Sequence, residues 1–248
     1  MPGNNPASLT LIIPVYNGAA YLPETFQELL EYYKNVSAPR LIFVNDGSAD
    51  ATQDLLENFA RQSELLVTVL SLPTNSGKGN AIKYAIEHGE INTSLVGFTD
   101  VEIPYTLDKV TEAAEILQTG NYDLVVADRT QVHTQQYVWV RKIMATLFRL
   151  GIPRTIRSIH DTQSGLKLFR TETARAIFSR VYTSRWVFDL EIFLAAHHGG
   201  ARVFQMPVSI KPMCLKGRGG VAPFKHAWQI AKDMGLIYRY ERQGKYNP

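Results

Sequence analysis

Between Leu9 and Ala127 the chain alternates short aliphatic runs with stretches whose apolar positions recur every three or four residues. Leu9–Val15, Arg40–Asn45, Leu66–Leu72, Ser94–Thr99 and Tyr122–Ala127 read as strands, too short and too continuously apolar for helices. Between them, Ala20–Tyr33 places Leu22, Phe26, Leu29, Leu30 and Tyr33 on one helical stripe, and Asp50–Ala60 does the same with Leu55, Leu56 and Phe59. Lys78–His88 and Thr106–Gln118 complete the series of helices. Regular strand–helix alternation predicts an α/β fold, a mostly parallel central sheet with helices on both faces. No repeat or linker divides the chain, so a single domain over 1–248 is expected.

The second half is less regular. Tyr137–Leu150 has helical spacing, strand-like pieces stand at Leu166–Phe169 and Arg202–Met206, and helices are expected at Thr171–Ser179 and Phe188–His198. The final helix, Phe224–Arg242, shows a stripe through Phe224, Trp228, Ala231, Gly235 and Tyr238, flanked by Lys225, Lys232, Arg239 and Arg242. Such a stripe either closes the core or lies on an anionic membrane surface, and core packing is the expectation.

Charge changes this picture. The 248 residues carry a net charge of +3, but residues 1–128 hold 6 Lys/Arg against 17 Asp/Glu, and residues 129–248 hold 20 against 6. A chain acidic by 11 charges in one part and basic by 14 in the other separates two tasks. The single cysteine, Cys214, excludes an internal disulfide and a thiolate metal cluster. No apolar run approaches the roughly 20 residues that span a bilayer, and Met1–Ser8 has no signal-peptide pattern. A cytoplasmic protein is expected, with any membrane contact peripheral and at the inner face, and with no nucleic acid as partner.

Ligands of open α/β sheets bind beyond the carboxyl ends of the strands. That rule selects the loops Pro14–Gly18, Asp46–Asp50, Thr74–Gly79 and Asp100–Tyr105. Asp100 and Glu102, one residue apart at a strand end, offer hard oxygen ligands to Mg²⁺ or Mn²⁺. Asp46 can accept from a base or ribose, or it can serve in a helix cap. Lys78 stands between Gly77 and Gly79 at a helix start, a place suited to a diphosphate. The loop is not a P-loop, and Pro14–Ala20 lacks a G-x-G-x-x-G turn, so both common nucleotide motifs are excluded. Asp161 is the only acidic residue between Asp128 and Glu172. It can orient an acceptor or sugar, or form a structural ion pair with an arginine. Arg129, Arg141 and Arg218 are candidate phosphate ligands. Arg185–Glu191 reads only as a helix start with apolar anchors, and His197 and His198 as structural.

These segments resemble the family 2 glycosyltransferases, and within them the dolichyl-phosphate mannose synthases and dolichyl-phosphate β-glucosyltransferases. The resemblance runs in order through Ile13-Pro14-Val15-Tyr16-Asn17, Val44-Asn45-Asp46-Gly47-Ser48, Gly77-Lys78-Gly79-Asn80-Ala81 and Thr99-Asp100-Val101-Glu102. It continues through Asp161-Thr162-Gln163-Ser164-Gly165-Leu166-Lys167-Leu168-Phe169 and Arg185-Trp186-Val187-Phe188-Asp189-Leu190-Glu191, the two segments most like the β-glucosyltransferase branch. It implies a Rossmann-like nucleotide-diphospho-sugar transferase domain, residues 1–128 binding the donor and residues 129–248 the acceptor. Tyr16, Asn17 and Asp46 would hold the nucleoside of a nucleotide sugar of the UDP-glucose or GDP-mannose type, and Pro14, Lys78 and Asp100 complete the candidate donor site. Asp100 and Glu102 would bind Mg²⁺ or Mn²⁺, and Arg129 and Arg141 would bind the acceptor phosphate; Arg218 joins them as a candidate on residue type alone. The sequence departs from the family pattern at Gly18, Glu102, Pro104 and Arg218-Gly219-Gly220.

The function so implied is inverting, metal-dependent hexosyl transfer to a polyprenyl or dolichyl phosphate, as in the synthesis of cell-envelope glycans. Asp161 is the candidate catalytic residue, and becomes a general base if the acceptor is a saccharide hydroxyl. A non-catalytic nucleotide-sugar-binding protein is the alternative. A sugar-phosphate nucleotidyltransferase is disfavoured, because Pro14–Ala20 lacks the Gly-rich, arginine-bearing loop that chemistry needs.

Overall fold

Each aliphatic run of the first half is a strand and each helical stripe a helix in the computed structural model, which describes residues 9–130, 151–185, 187–215 and 223–248. In chain order these are β1 (Leu9–Val15), α1 (Leu22–Tyr33), β2 (Arg40–Asp46), α2 (Thr52–Gln62), β3 (Val67–Leu72), α3 (Lys78–His88), β4 (Leu95–Phe98), α4 (Asp108–Thr119) and β5 (Leu124–Asp128). α1 starts with its apolar stripe at Leu22, later than the expected start at Ala20. The Gly18 carbonyl accepts the Tyr21 and Leu22 amides at 2.9 and 3.1 Å, which closes a turn first. A proline then opens the helix, where its missing N–H costs nothing.

The second half adds a 3₁₀ turn (Arg154–Ile156), β6 (Lys167–Arg170), α5 (Thr171–Phe178), α6 (Phe188–His198), β7 (Val203–Pro207), α7 (Pro212–Leu215) and α8 (Pro223–Arg242). The helix expected over 137–150 lies outside the described residues, as do Arg141 and Arg218. Among the described residues the strands join one seven-stranded sheet in the order β3-β2-β1-β4-β6-β5-β7. β1 pairs in parallel with β2 and β4, β2 with β3, and β5 with β7. β6 alone runs against its neighbours β4 and β5.

Alternation along the strands divides the core between the two faces of the sheet. Leu11, Ile13, Leu41 and Phe43 pack with residues of α1, α2 and α4, whereas Ile12, Ile42 and Val44 pack with α3, α5 and α6. α6 is buried from Phe188 through Ala196, so it is a core helix rather than an amphipathic cover.

The last helix corrects the sequence reading. Its inward residues are Asp233 and Ile237, backed by Ile230, Met234 and Tyr240. From Trp228 onward the stripe expected to close the core faces outward: Trp228 is 74% exposed and Tyr238 37%, and the side chain of Phe224 lies outside the described residues. Two stripes of similar apolarity lie side by side on this helix, and the core takes the aliphatic one. The Lys232 ammonium lies over the Trp228 ring at 5.6 Å. No helix among the described residues is long and apolar enough to cross a membrane.

Asp123 ties the second half of the sheet together. Its Oδ2 accepts the Arg202 amide at 2.9 Å and Nε at 3.1 Å, and Arg170 Nε lies 3.8 Å from Oδ1. Burial works to raise its pKa, but the hydrogen bonds and charges of Arg202 and Arg170 outweigh it and hold the carboxyl below 3.8. A depressed folded pKa stabilises above the unfolded value and is lost as pH falls through the folded one. Asp123→Asn should therefore cost about 1 kcal/mol at neutral pH. In urea melts, that difference should shrink once the pH falls below 3.8. A difference that stays constant down to about pH 2 would contradict this ion-pair account.

Candidate active site at the sheet switch point

The strand order reverses at β1 and β4, which opens a crevice at their carboxyl ends. Pairing between β1 and β4 ends at Ile12 and Phe98, so Pro14, opposite Val44, asks for no hydrogen bond on its β4 side. Beyond it Tyr16 is 51% exposed, an aromatic face standing free at the crevice. Asn17 takes a left-handed conformation, φ 48°. Its amide donates to Ser48 Oγ at 2.9 Å and its side-chain carbonyl accepts the Ala49 amide at 2.9 Å. Gly18 N donates to Thr52 Oγ1 at 2.8 Å, so the loops after β1 and β2 are sewn into one unit.

Asp46 is buried at the end of β2. Its Oδ1 accepts the Ser76 amide at 2.7 Å and the Ser76 hydroxyl at 2.8 Å, and its Oδ2 accepts the Gly77 amide at 2.8 Å. A carboxylate offers roughly four acceptor positions, so the bonds to the lysine loop leave room for about one more. Gly47 follows at φ 65°, where a Cβ would sit 2.4 Å from the Thr74 carbonyl carbon. Only glycine lets these backbones approach so closely.

The lysine loop brings Lys78 onto Asp100, with Nζ 2.5 Å from Oδ1. Burial alone would lower the lysine pKa, but the charges of Asp100 and Asp189 outweigh it and raise it. Burial would likewise raise the Asp100 pKa, and Lys78, Arg129 and Lys167 reverse that and lower it. The other side of the Asp100 carboxylate lies against Gly165, where a Cβ would come 1.9 Å from Oδ2. Thr25 of α1 donates to the Val101 carbonyl at 2.5 Å, and the Ile103 amide to the Asp100 carbonyl at 3.0 Å. Ile103 itself is buried at φ 40°, a strained conformation for a β-branched residue. The loop therefore folds back sharply just past Glu102, whose side chain is exposed.

β6 explains how the second half reaches this crevice. Because it runs antiparallel, its first residue, Lys167, pairs opposite Phe98 of β4 and Val126 of β5. The preceding loop, 161–166, thus lands at the edge where β4 and β5 end. Here Asp161 and Arg129, singled out separately in the sequence, are each other's partners. Arg129 Nε lies 2.5 Å from Oδ2 and Nη2 2.7 Å from Oδ1, a two-pronged pair with the carboxylate buried. Next to it Asp128 accepts from the Thr130 amide and hydroxyl, at 2.9 and 2.6 Å, and lies 3.2 Å from His160 Nδ1.

Sequence reasoning missed the polar layer beneath. Lys167 is fully buried, donating to the Ser164 carbonyl at 2.8 Å and to Asp189 Oδ1 at 2.7 Å. Burial lowers its pKa against the opposing pull of Asp189. The Phe98 ring has Lys78 Nζ at 5.5 Å and Lys167 Nζ at 5.4 Å. Glu191 is also fully buried on α6, and burial raises its pKa. The signal was present: Asp189 and Glu191 are carboxylates in a helix otherwise apolar on every side, so no orientation leaves both in water.

Asp100 and Glu102 together supply only oxygen ligands, the chemistry Mg²⁺ and Mn²⁺ favour. Among the described residues no group of three or more His, Cys, Asp or Glu side chains is arranged to hold a metal. Mg²⁺ bound with substrate phosphates needs only one or two protein carboxylates, so this short donor set fits a metal that arrives with a diphosphate.

The chain is similar to proteins already known. A dolichyl-phosphate beta-glucosyltransferase of Trichomonas vaginalis is 31% identical over 217 residues, 82% of this chain and 66% of its own length. The human dolichyl-phosphate beta-glucosyltransferase is 26% identical over 245 residues, 92% of this chain and 74% of its own. This chain thus spans two thirds to three quarters of the length of these relatives. Among solved structures, glucosyl-3-phosphoglycerate synthase of Mycobacterium tuberculosis in complex with UDP shares the fold at a TM-score of 0.65 and 16% identity, over 89% of this chain and 76% of that one. The same enzyme with Mn²⁺, UDP and glucosyl-3-phosphoglycerate gives a TM-score of 0.62 over 85% and 75% of the two chains. Residues 10–178 match the family described as glycosyl transferase family 2. The chain belongs to that family.

Proposed function

We propose that this protein transfers glucose from UDP-glucose to the phosphate of a dolichyl or other polyprenyl phosphate, with inversion at the anomeric carbon. The carrying observation is that the Lys78–Asp100 pair and the Arg129–Asp161 pair share one site at the switch point of the sheet: Gly165, in the loop that begins at Asp161, lies against Asp100, and the Arg129 charge acts on the Asp100 carboxyl. The names of the curated relatives supply the donor sugar and the lipid class.

Exposed Tyr16 would give the base an aromatic face, and the remaining acceptor position of Asp46 would take a donor from base or ribose. Lys78 lies at the start of α3, where its ammonium and the helix amides offset charge that develops on the departing diphosphate. When bound, a divalent cation held by Asp100 and Glu102 would add Lewis-acid stabilisation of that charge. The acceptor phosphate is largely dianionic at neutral pH, its second pKa being about 6. It therefore needs positioning more than deprotonation. Its oxygen attacks the anomeric carbon, the carbon–oxygen bond to UDP breaks, and UDP leaves with the bonding pair. Arg129 is aimed by Asp161, and its guanidinium would bring positive charge to the phosphate. An Asp161 carboxylate engaged at both oxygens by Arg129 is a poor general base, which favours phosphate over hydroxyl as the acceptor. The outward Trp228 and Tyr238, beside Lys232, Arg239 and Arg242, suit the headgroup region of an anionic bilayer at which a lipid acceptor is met.

Thermal unfolding with UDP-glucose, UDP-galactose, UDP-N-acetylglucosamine and GDP-mannose, each with Mg²⁺ or Mn²⁺, tests the donor. A ligand at a hundred times its Kd stabilises by about 2.7 kcal/mol, or roughly 5–10 °C in Tm for a chain of this size. UDP-glucose with metal should give that shift. A shift with GDP-mannose alone would replace the donor, and no shift with any of them would sink the reading.

A further inference from the structure

A buried carboxylate that the transfer reaction does not use stands behind the lysine loop. Glu191 accepts the Thr183 amide at 2.6 Å, the Thr183 hydroxyl, the Tyr182 amide at 3.2 Å and the Tyr246 hydroxyl at 2.7 Å. Tyr246 itself is fully buried, so the C-terminal residues are anchored on this carboxylate. The segment that Glu191 holds is in turn the floor of the lysine loop. The Ser184 carbonyl accepts the Gly79 amide at 2.8 Å, and Arg185 Nη2 donates to the Asn75 carbonyl at 3.2 Å. Gly77 sits so close that a Cβ there would come 2.5 Å from the Ser184 oxygen, and Gly79 packs on Phe188 with a Cβ distance of 2.6 Å. Lys78 thus rides between two glycines pressed onto Ser184, Arg185 and Phe188.

We infer that Glu191 is a positioning residue for donor binding: clamped by Tyr246, it fixes the 182–185 segment and through it the height at which Lys78 and the first amides of α3 meet the donor diphosphate. As a statement about the donor it rests on the function proposed above. The coupling joins Tyr246 to the donor side of the site.

The test uses the full chain and the variants Glu191→Gln and Tyr246→Phe, with UDP-glucose and Mn²⁺ as donor probe and a short-chain polyprenyl phosphate as acceptor. Glutamine offers one uncharged acceptor oxygen where Glu191 offers two, so its N–H₂ must face either the Thr183 donors or the Tyr182 amide and Tyr246 hydroxyl, and the segment should loosen. In the ligand-free protein, amide exchange over residues 75–82 should rise about tenfold with Glu191→Gln while β1 stays protected. The KM for UDP-glucose should rise about tenfold and that for the acceptor by less than about twofold. Tyr246→Phe, which keeps the bonds to Thr183, should move both readouts the same way by about threefold, and it carries the test if Glu191→Gln does not fold. Unchanged exchange at 75–82, or KM values for donor and acceptor that rise together, would overturn the inference. A wild type that binds no nucleotide sugar would instead remove the proposed function, and the exchange data would still decide whether Glu191 holds the loop.

Discussion

Replacing Asp100 with alanine should lower glucosyl transfer by about three orders of magnitude and leave the protein folded. The Lys78 and Asp100 side chains are 32% and 39% exposed, so their pair is partly solvated despite its short contact. Pairs of that kind contribute about 0–1 kcal/mol to stability. What the variant loses is chemical: one of the two carboxylates able to hold a divalent cation, and the group that fixes the Lys78 ammonium in the crevice. The measurement is single-turnover transfer from UDP-glucose with Mn²⁺, alongside a thermal melt of each protein. Transfer within about tenfold of wild type, or full wild-type activity in excess chelator, would remove Asp100 from the metal site.

Gly165→Ala should cut kcat/KM by about a hundredfold, a loss out of proportion to the size of one methyl group. The new Cβ would lie 1.9 Å from Asp100 Oδ2 and 2.8 Å from Cγ, closer than any packed carbon can sit. Only the end of a flexible side chain is in the way, so the carboxylate can rotate aside and the fold should lose no more than about 1 kcal/mol. Rotation takes the carboxylate off Lys78 and away from the diphosphate site. Kinetics and a melt on the same preparation separate the two effects. Activity near wild type would show that the Asp100 position seen here is not the productive one, and a fall in Tm to match the fall in rate would make Gly165 a packing residue only.

The sequence shows the fold more fully than it shows the site. The extents of β1, α3 and α6 follow from apolar runs and helical spacing to the residue, because each is decided by local pattern against a sheet or core. The loops at strand ends follow from the same pattern. The direction of β6 does not, since a four-residue strand carries no mark of which neighbours it pairs with or which way it runs. That one fact delivers Asp161 and Gly165 to Asp100. Partnership between charged residues is equally hidden: Arg129 and Asp161 are 32 positions apart. Lys167 reads as one more basic residue of a basic half until Asp189 and two aromatic rings are placed around it. On α8 the pattern misleads, because two apolar stripes compete and spacing cannot say which one the core will accept.

The antiparallel insertion of β6 also dictates the order in which the molecule can be made. β4 and β5 never touch as ladder partners, because β6 stands between them. A nascent chain that has left the ribosome only as far as Asp128 holds both strands with open edges facing a gap of one strand's width. Such edges invite pairing with other chains. The gap closes only after Arg170 emerges, when a late segment threads between two early ones at large sequence separation, the slow kind of step in folding. The acidic and basic parts of this chain are therefore not modules that a gene could exchange or a protease could separate: the sheet begun by the acidic part is completed by strands from the basic part.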